Sequence, residues 1–348
     1  MGETFVGCQP FPTDCAQTNA SRLLVLRYGG QERMTYAFSC IRFDGGTSTT
    51  LYLADLDGGC SVLDTAPGIT HVAATHPDLL EADNSRVVYA KATAQGFVPP
   101  TLIVSRDVKT GLSTSFDSGI GTAIQTVAMN TNPDRVVWTE VSSAFGLAFP
   151  THMNEYSFGQ NAVVSRLPVP PFSSVVFSAS ARHYFLDAYN KELRRIFRDG
   201  GDANDGGPWE TMLDGYVFTP GAMAFRGANQ DTVDTVYWNG PVEGGTLPRL
   251  RSASLTSGLH PTVTGRATTV ADIDSLVVDR TSGAVAYLVM ANNTADSGQP
   301  QGLWKVGLLD GGSLNKLDAR NFGNVAIVGS RLATVDNDCR GVVLRPLP

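Results

Sequence analysis

Residues 86 to 90 read Arg-Val-Val-Tyr-Ala, and residues 135 to 139 read Arg-Val-Val-Trp-Thr, nearly one phrase written twice. Related phrases begin at Arg33, Arg182, Asp234, Gly283 and Arg331, so the starts fall at 33, 86, 135, 182, 234, 283 and 331. The successive gaps are 53, 49, 47, 52, 49 and 48 residues. A self-similar period of roughly 40 to 50 residues marks propellers and related arrays. The seven copies span the chain, and modularity explains how 348 residues, a length at the upper end for one domain, form a single unit.

Within each unit the apolar runs are short, rich in β-branched and aromatic residues, and punctuated by Gly, Asn, Asp and Pro. That is a strand-and-turn pattern; a helical solenoid would need caps and i, i+4 apolar spacing that are not found. In the second unit, residues 69–77 form strand A, 86–93 strand B, 101–108 strand C and 112–117 strand D. Four strands per unit make a propeller blade. The Asp- and Gly-rich stretches at 55–59, 198–207 and 308–312 then read as hairpin turns that need positive φ angles. The expected fold is all-β, a seven-bladed β-propeller of four-stranded antiparallel blades filling residues 1–348 as one domain. Its blades lie at about 22–66, 69–117, 121–169, 171–215, 216–265, 266–319 and 320–348, the last completed by 3–7. The repeated phrase is strand B of each blade, with its apolar residues packed on neighbouring blades.

The segments from His76 to Thr93, Leu102 to Gly111 and Asn132 to Val141 resemble the repeats of TolB-type, WD40-like propellers. In those repeats a turn with Pro and Asp precedes an apolar B strand, and a later strand ends in an Asp-x-x-Thr-Gly turn. The resemblance implies the fold, and one fold hosts many functions.

The last unit supplies strands A, B and C before the sequence stops, and Glu3 to Gly7 is the natural fourth strand that closes the ring. This pairing sets Cys8 beside Cys339, a bridge across a very long loop. Cys15 and Cys40 fall on one end of the first blade, here called the top, where B strands end and A strands begin, whereas Cys60 falls at the bottom. The expected bridges are therefore Cys8–Cys339 and Cys15–Cys40, with Cys60 free. Two bridges imply an oxidising compartment, extracellular or periplasmic, with an export signal removed. The alternative is five reduced, buried thiols.

A formal charge of -7 gives no electrostatic reason to approach a polyanion, so no nucleic-acid partner is expected. No apolar run approaches the roughly 20 residues of a membrane span. The sequence contains no Cys-x-x-Cys pair, no Gly-x-Ser-x-Gly elbow, no phosphate-binding Gly loop and no His-Glu-x-x-His. The five histidines are scattered, and the Asp-Gly stretch at 199–207 lacks the ligand spacing of a calcium loop. No metal and no cofactor are expected.

Aligning the units on strand A places Arg22, His71, Thr126, Ser174, Gly221, Ser275 and Asn324 at the top mouth of the central channel, with Asp272 and Asp274 just before Ser275. The alternative for this ring is a set of groups that bond one another and channel water. The connection at 139–154 is far longer than the usual two to five residues of a hairpin loop, and carries Phe145, Leu147, Phe149 and His152. With Phe97 on the second blade these residues form an expected apolar rim, the alternative being that the loop folds back and buries them. The expected function is a binding or scaffold module for a protein or glycan, using Phe97, Phe145, Leu147, Phe149, His152, Arg22, His71, Asp274 and Asn324. The runner-up is a propeller-type lyase or hydrolase acting on a polysaccharide or lactone, with His71 as base and Asp272 or Asp274 orienting it.

Overall fold

Each repeated phrase lies on the second strand of an antiparallel sheet, and seven such sheets form a ring. The structure is a computed structural model. It describes residues 3–7, 15–20, 23–74, 84–92, 100–117, 122–130, 132, 134–144, 147–170, 173–179, 182–187, 190–198, 209–215, 223–229, 232–240, 249–255, 273–279, 283–290, 301–308, 313–338 and 341–348.

The chain opens with β1 (Thr4–Val6). Blade one holds β2 (Cys15–Ala20), β3 (Leu24–Tyr28), β4 (Gln31–Arg42), β5 (Thr47–Asp55) and β6 (Cys60–Ala66). Blade two holds β7 (Gly68–Ala73), β8 (Arg86–Ala92), β9 (Leu102–Asp107) and β10 (Ser113–Asp117). Blade three holds β11 (Thr122–Met129), β12 (Arg135–Ala144), β13 (Leu147–Ser157) and β14 (Ala162–Pro168). Blade four holds β15 (Ser173–Ser178), β16 (Arg182–Asp187), β17 (Glu192–Phe197) and β18 (Trp209–Leu213). Blade five has three described strands, β19 (Met223–Asn229), β20 (Thr232–Gly240) and β21 (Arg249–Ser254). Blade six holds β22 (Ile273–Val278), β23 (Val285–Met290), β24 (Gly302–Gly307) and β25 (Leu314–Asp318). Blade seven holds β26 (Phe322–Val328), β27 (Arg331–Asp336) and β28 (Gly341–Pro346), with β1 as its outer strand. The protein is a seven-bladed β-propeller. Among the described residues no helix is long and apolar enough to cross a membrane.

The repeated phrase is apolar at consecutive positions because each second strand is buried on both faces. Val87 and Tyr89 join a cluster with Leu26, Ala37 and Leu51 of blade one. Val88 and Ala90, facing the other way, join Ile124, Val136 and Trp138 of blade three. Val137 in turn packs on Val175, Phe185 and Ile196 of blade four. The same alternation continues through Trp238 and Tyr237, Leu288 and Tyr287, and Leu332 and Ala333, so that a separate core fills each contact between neighbouring blades. Each fully buried large side chain contributes about 1.5 to 3 kcal/mol. The turn after β5 shows the expected chemistry: the Asp55 N–H donates to Gly59 O at 2.7 Å, and Gly58 sits at φ +104°, open to glycine and strained for other residues.

The first blade differs from expectation at its inner strand. β4 is 12 residues long, and its edge is covered by β3 over one half and by β2 over the other, with Cys15 opposite Arg42 and Leu24 opposite Thr35. Residues read as an approach to strand A therefore belong to the sheet, because an edge that long leaves backbone groups that must be paired.

Polar struts cross between blades. At the bottom of blades three and four, Asn130 Nδ2 donates to Ser178 Oγ at 2.8 Å, and Ser178 Oγ lies 2.9 Å from His183 Nδ1. His183 Nε2 is 3.4 Å from Glu155 Oε2, which also accepts from Arg198 Nε at 3.0 Å, while Arg135 pairs with the other oxygen. Ser178, His183 and Glu155 are each at most 2% exposed, so this serine, histidine and glutamate line is sealed from any substrate and acts as a strut.

The ring closes between blades seven and one. β1 pairs with β28 in the register Thr4 with Leu344, Phe5 with Val343 and Val6 with Val342. Val6 is buried in the core that joins Ala333, Val335 and Val342 to Met34 and Tyr36 of blade one. Glu3 anchors the strand: its carboxylate accepts from Arg320 Nη2 at 2.8 Å and lies 3.2 Å from Arg345 Nη2. The same two arginines hold Asp318, at 3.0 Å from Arg320 Nε and 2.8 Å from Arg345 Nη2. Burial opposes ionisation of Asp318, but these hydrogen bonds outweigh it and keep the carboxyl well below the usual carboxylate range. A depressed folded-state value gives stability that is present above the unfolded carboxylate value of about 3.9 and is lost as pH falls through the folded one. Asp318→Asn should therefore lower the melting temperature at neutral pH, and the gap to the parent should narrow as pH drops below about 4. A pH-independent gap in calorimetry would remove Asp318 from the latch.

Cys15 and Cys40 form a disulfide with Cα atoms 5.3 Å apart, at the top of blade one. Cys60 is disulfide-bonded too, which corrects the expectation that it is free. Its partner lies outside the described residues, as do Cys8 and Cys339 themselves. The reason lies in the packing: Cys60 leans on the core shared with blade seven, beside Tyr36 Oη at 3.8 Å, where sequence order alone had set it apart from the closing strand. Non-reducing peptide mapping should recover Cys15 linked to Cys40 and no free thiol at Cys60; alkylation of Cys60 without prior reduction would contradict this arrangement.

Candidate functional site

The second and third strands of blade three run past their neighbours. β12 pairs with β13 from Arg135 and Ser157 up to Ala144 and Leu147, with a bulge between Glu140 and Val141. The outer strand β14 stops with Pro168 opposite His152, and the inner strand β11 starts with Thr122 opposite Ser142. The expected loop at 139–154 is thus a hairpin, correcting the loop reading: its strand formers Thr139, Val141 and Phe149 pair across it with Met153, Pro150 and Ser142. Leu147 and Phe149 stand two positions apart in β13, and Phe145 lies outside the described residues.

At the base of this hairpin three polar side chains meet on the side that faces blade two. Glu140 is opposite His152, and Arg166 on β14 is opposite Asn154, one rung below. Arg166 Nη2 lies 3.4 Å from Glu140 Oε2 and 3.4 Å from His152 Nδ1. Glu140 is 4% exposed, whereas the Arg166 side chain is 57% exposed, so a buried carboxylate is reached through a cation at the surface. Since guanidinium has no acceptor, His152 Nδ1 accepts and the ring carries its proton on Nε2. Burial and the positive charge of Arg166 lower the His152 pKa, and Glu140 partly offsets them. The arrangement offers a shielded acceptor, a neutral imidazole donor and a guanidinium at its entrance.

Of the expected channel-mouth groups, several are used to stitch blades together. Thr126 Oγ1 lies 2.7 Å from Thr139 Oγ1 and accepts the Val175 N–H at 2.9 Å, and Ser275 Oγ accepts the Val325 N–H at 3.2 Å in the matching place between blades six and seven. Ser174 Oγ accepts from Gln125 Nε2 at 3.4 Å. Asn324 is half-buried in β26 opposite Val335, and Asp274 is exposed in β22. His71 lies in β7; Arg22, Phe97, Gly221 and Asp272 lie outside the described residues. Among the described residues no group of three or more His, Cys, Asp or Glu side chains could hold a metal ion.

Sequence reasoning found His152 but passed over Glu140 and Arg166. The signal was present: an acid set inside the apolar phrase Arg-Val-Val-Trp-Thr-Glu-Val must be paired if the strand is buried on both faces. Phe43, 82% exposed in the turn between β4 and β5, was also missed.

No family model and no curated protein matches this chain. Among solved structures it is similar to an oligogalacturonate lyase in complex with manganese, at 12% identity and a TM-score of 0.62, covering 96% of this chain and 98% of that one. An oligogalacturonate lyase from Vibrio parahaemolyticus matches at 10% identity and a TM-score of 0.60, covering 96% and 99%. The β-propeller domain of the trilobed protease from Pyrococcus furiosus, with its open velcro topology, matches at 11% identity and a TM-score of 0.57, covering 92% and 91%. At these identities the likeness is one of fold.

In an NMR titration, His152 should protonate below the ordinary imidazole range. Arg166→Gln should raise its midpoint and Glu140→Gln should lower it further; shifts in the opposite sense would separate the three side chains in solution.

Proposed function

We propose that this chain is an exported binding propeller that takes a protein or glycan on its top face, at the rim of the third blade. The observation that carries this reading is the β12–β13 hairpin, which outruns both flanking strands and has Glu140, His152 and Arg166 at its base. The rungs from Ser143 with Ala148 to Ala144 with Leu147 lie beyond the start of β11 and the end of β14, and ordering them costs backbone entropy. Phe97, Phe145, Leu147 and Phe149 are proposed as the apolar part of the surface, with Arg22, His71, Asp274 and Asn324 at the adjoining channel mouth. Export to an extracellular or periplasmic space is supported by the Cys15–Cys40 disulfide and by the bridge at Cys60.

A second reading, a lyase or hydrolase of a polysaccharide or lactone with His71 as base and Asp272 or Asp274 orienting it, draws support from the end-to-end likeness to two oligogalacturonate lyases. The two readings part on turnover of oligogalacturonate.

The test of the binding reading is a variant in which residues 143–148 are replaced by Asn-Gly, the dipeptide suited to a two-residue hairpin. It should melt with the parent and lose at least about tenfold in affinity, roughly 1.4 kcal/mol, for ligands found on a glycan array or among co-secreted proteins. Unchanged binding by the shortened protein would move the site elsewhere.

A further inference from the structure

We propose that β1 is a detachable strap, which leaves and re-docks as a unit while the rest of the ring stays closed, so that blade seven alternates between four strands and three. This goes beyond the binding reading above and does not rest on it.

The strap is held by little. It has three residues, whereas the outer strands β6, β10, β14, β18 and β25 have five to seven. Among the described residues it pairs only with β28, and the two strands come from opposite ends of the chain, so no hairpin turn fixes its register. Of its three side chains Val6 alone is buried, while Thr4 is exposed and Phe5 is 50% exposed.

The ring does not need the strap to stay shut. The core between blades seven and one is built mainly by the blades themselves, with Met34, Tyr36 and Tyr52 on one side and Ala333, Val335 and Leu344 on the other, and β1 adds one side chain to it. Two further crossings bypass β1 altogether: the Gly329 N–H donates to Glu32, and Arg331 Nη1 donates to Leu56 O at 3.4 Å. An element with so few buried apolar contacts opens at a fraction of the free energy of global unfolding.

The strap returns to a fitted seat. Arg320 and Arg345 receive the Glu3 carboxylate, and because the Glu3 and Arg320 side chains are 48% and 37% exposed, the pair is weak and easily broken and remade. Gly341, at the start of β28, makes room for the strap: a Cβ there would lie 2.6 Å from Phe5 Cζ and 2.9 Å from Val6 O, closer than a methyl group packs. With the strap away, β28 becomes the outer edge of blade seven, and its backbone from Val342 to Leu344 is open to pairing with another extended strand.

The experiment is hydrogen exchange read by mass spectrometry on the whole chain with its disulfides intact, comparing the peptide that carries Thr4–Val6 with one that carries β27. The β1 amides should be protected at least about tenfold less than those of β27, and their exchange should respond far less to low urea, because opening a strap exposes little surface. Glu3→Gln should lower β1 protection by about a further threefold, and Gly341→Ala, which leaves the strap sequence intact and removes its seat, by about tenfold or more, with β27 unchanged in both. If Gly341→Ala fails to fold, Glu3→Gln carries the test. Exchange of β1 and β27 at one rate with one urea dependence overturns the strap, and so does an equal response of both strands to the substitutions.

Discussion

Everything in this molecule depends on the burial of each blade's second strand on both of its faces. A strand such as Arg86–Ala92 contributes Val87 and Tyr89 to one neighbour and Val88 and Ala90 to the other, and no single blade can bury both sets. The units are therefore stable only in company, and an open arc would leave one apolar face exposed at each end. The core between blades seven and one removes that last pair of faces, and β1 removes the last edge by pairing with β28.

Packing alone sets the blades side by side, but it does not fix how far each slides on the next. The polar crossings do. Thr126 to Val175 and Ser275 to Val325 are the same bond made at two places around the ring, between side chains and backbone of successive inner strands. Between blades one and two, Asp64 accepts from Tyr89 Oη at 2.7 Å and from Lys91 Nζ at 2.8 Å. The Glu155 cluster does the same between blades three and four. Buried ion pairs of this kind return little net stability over apolar packing, whereas losing one partner costs several kcal/mol, so their effect falls on register rather than on total stability.

The same logic explains why the rim of blade three stands apart. β12 and β13 continue past the start of β11 and the end of β14, and at the point where β14 gives out a buried Glu140 is met by a surface Arg166. Charges in a blade face are tolerated where a partner is supplied, from another blade as for Asp64 and Lys91 or from the same blade as for Arg195 and Glu210. Here the partner comes from the blade itself, and its side chain is more than half exposed.

The sequence by itself determined the number of blades, the strand-and-turn character of each unit and the strand that closes the ring. These depend on local alternation repeated seven times, and an error in one unit is corrected by the other six. Tertiary structure alone decided the rest. Whether residues 139–154 form a loop or a hairpin depends on rungs such as Val141 with Pro150 and Ser142 with Phe149, which long apolar connections do not announce. Whether Glu140 is a solvated acid or a buried one depends on which face it takes, and a slip of one residue would reverse that. Cys60 illustrates the same limit: strand order placed it at the far end of a blade from the closing strand, while the twist of neighbouring sheets brought it against the core they share. Periodicity is a property of the chain, but contact between blades is a property of register and twist, and those are set only when the seven sheets meet.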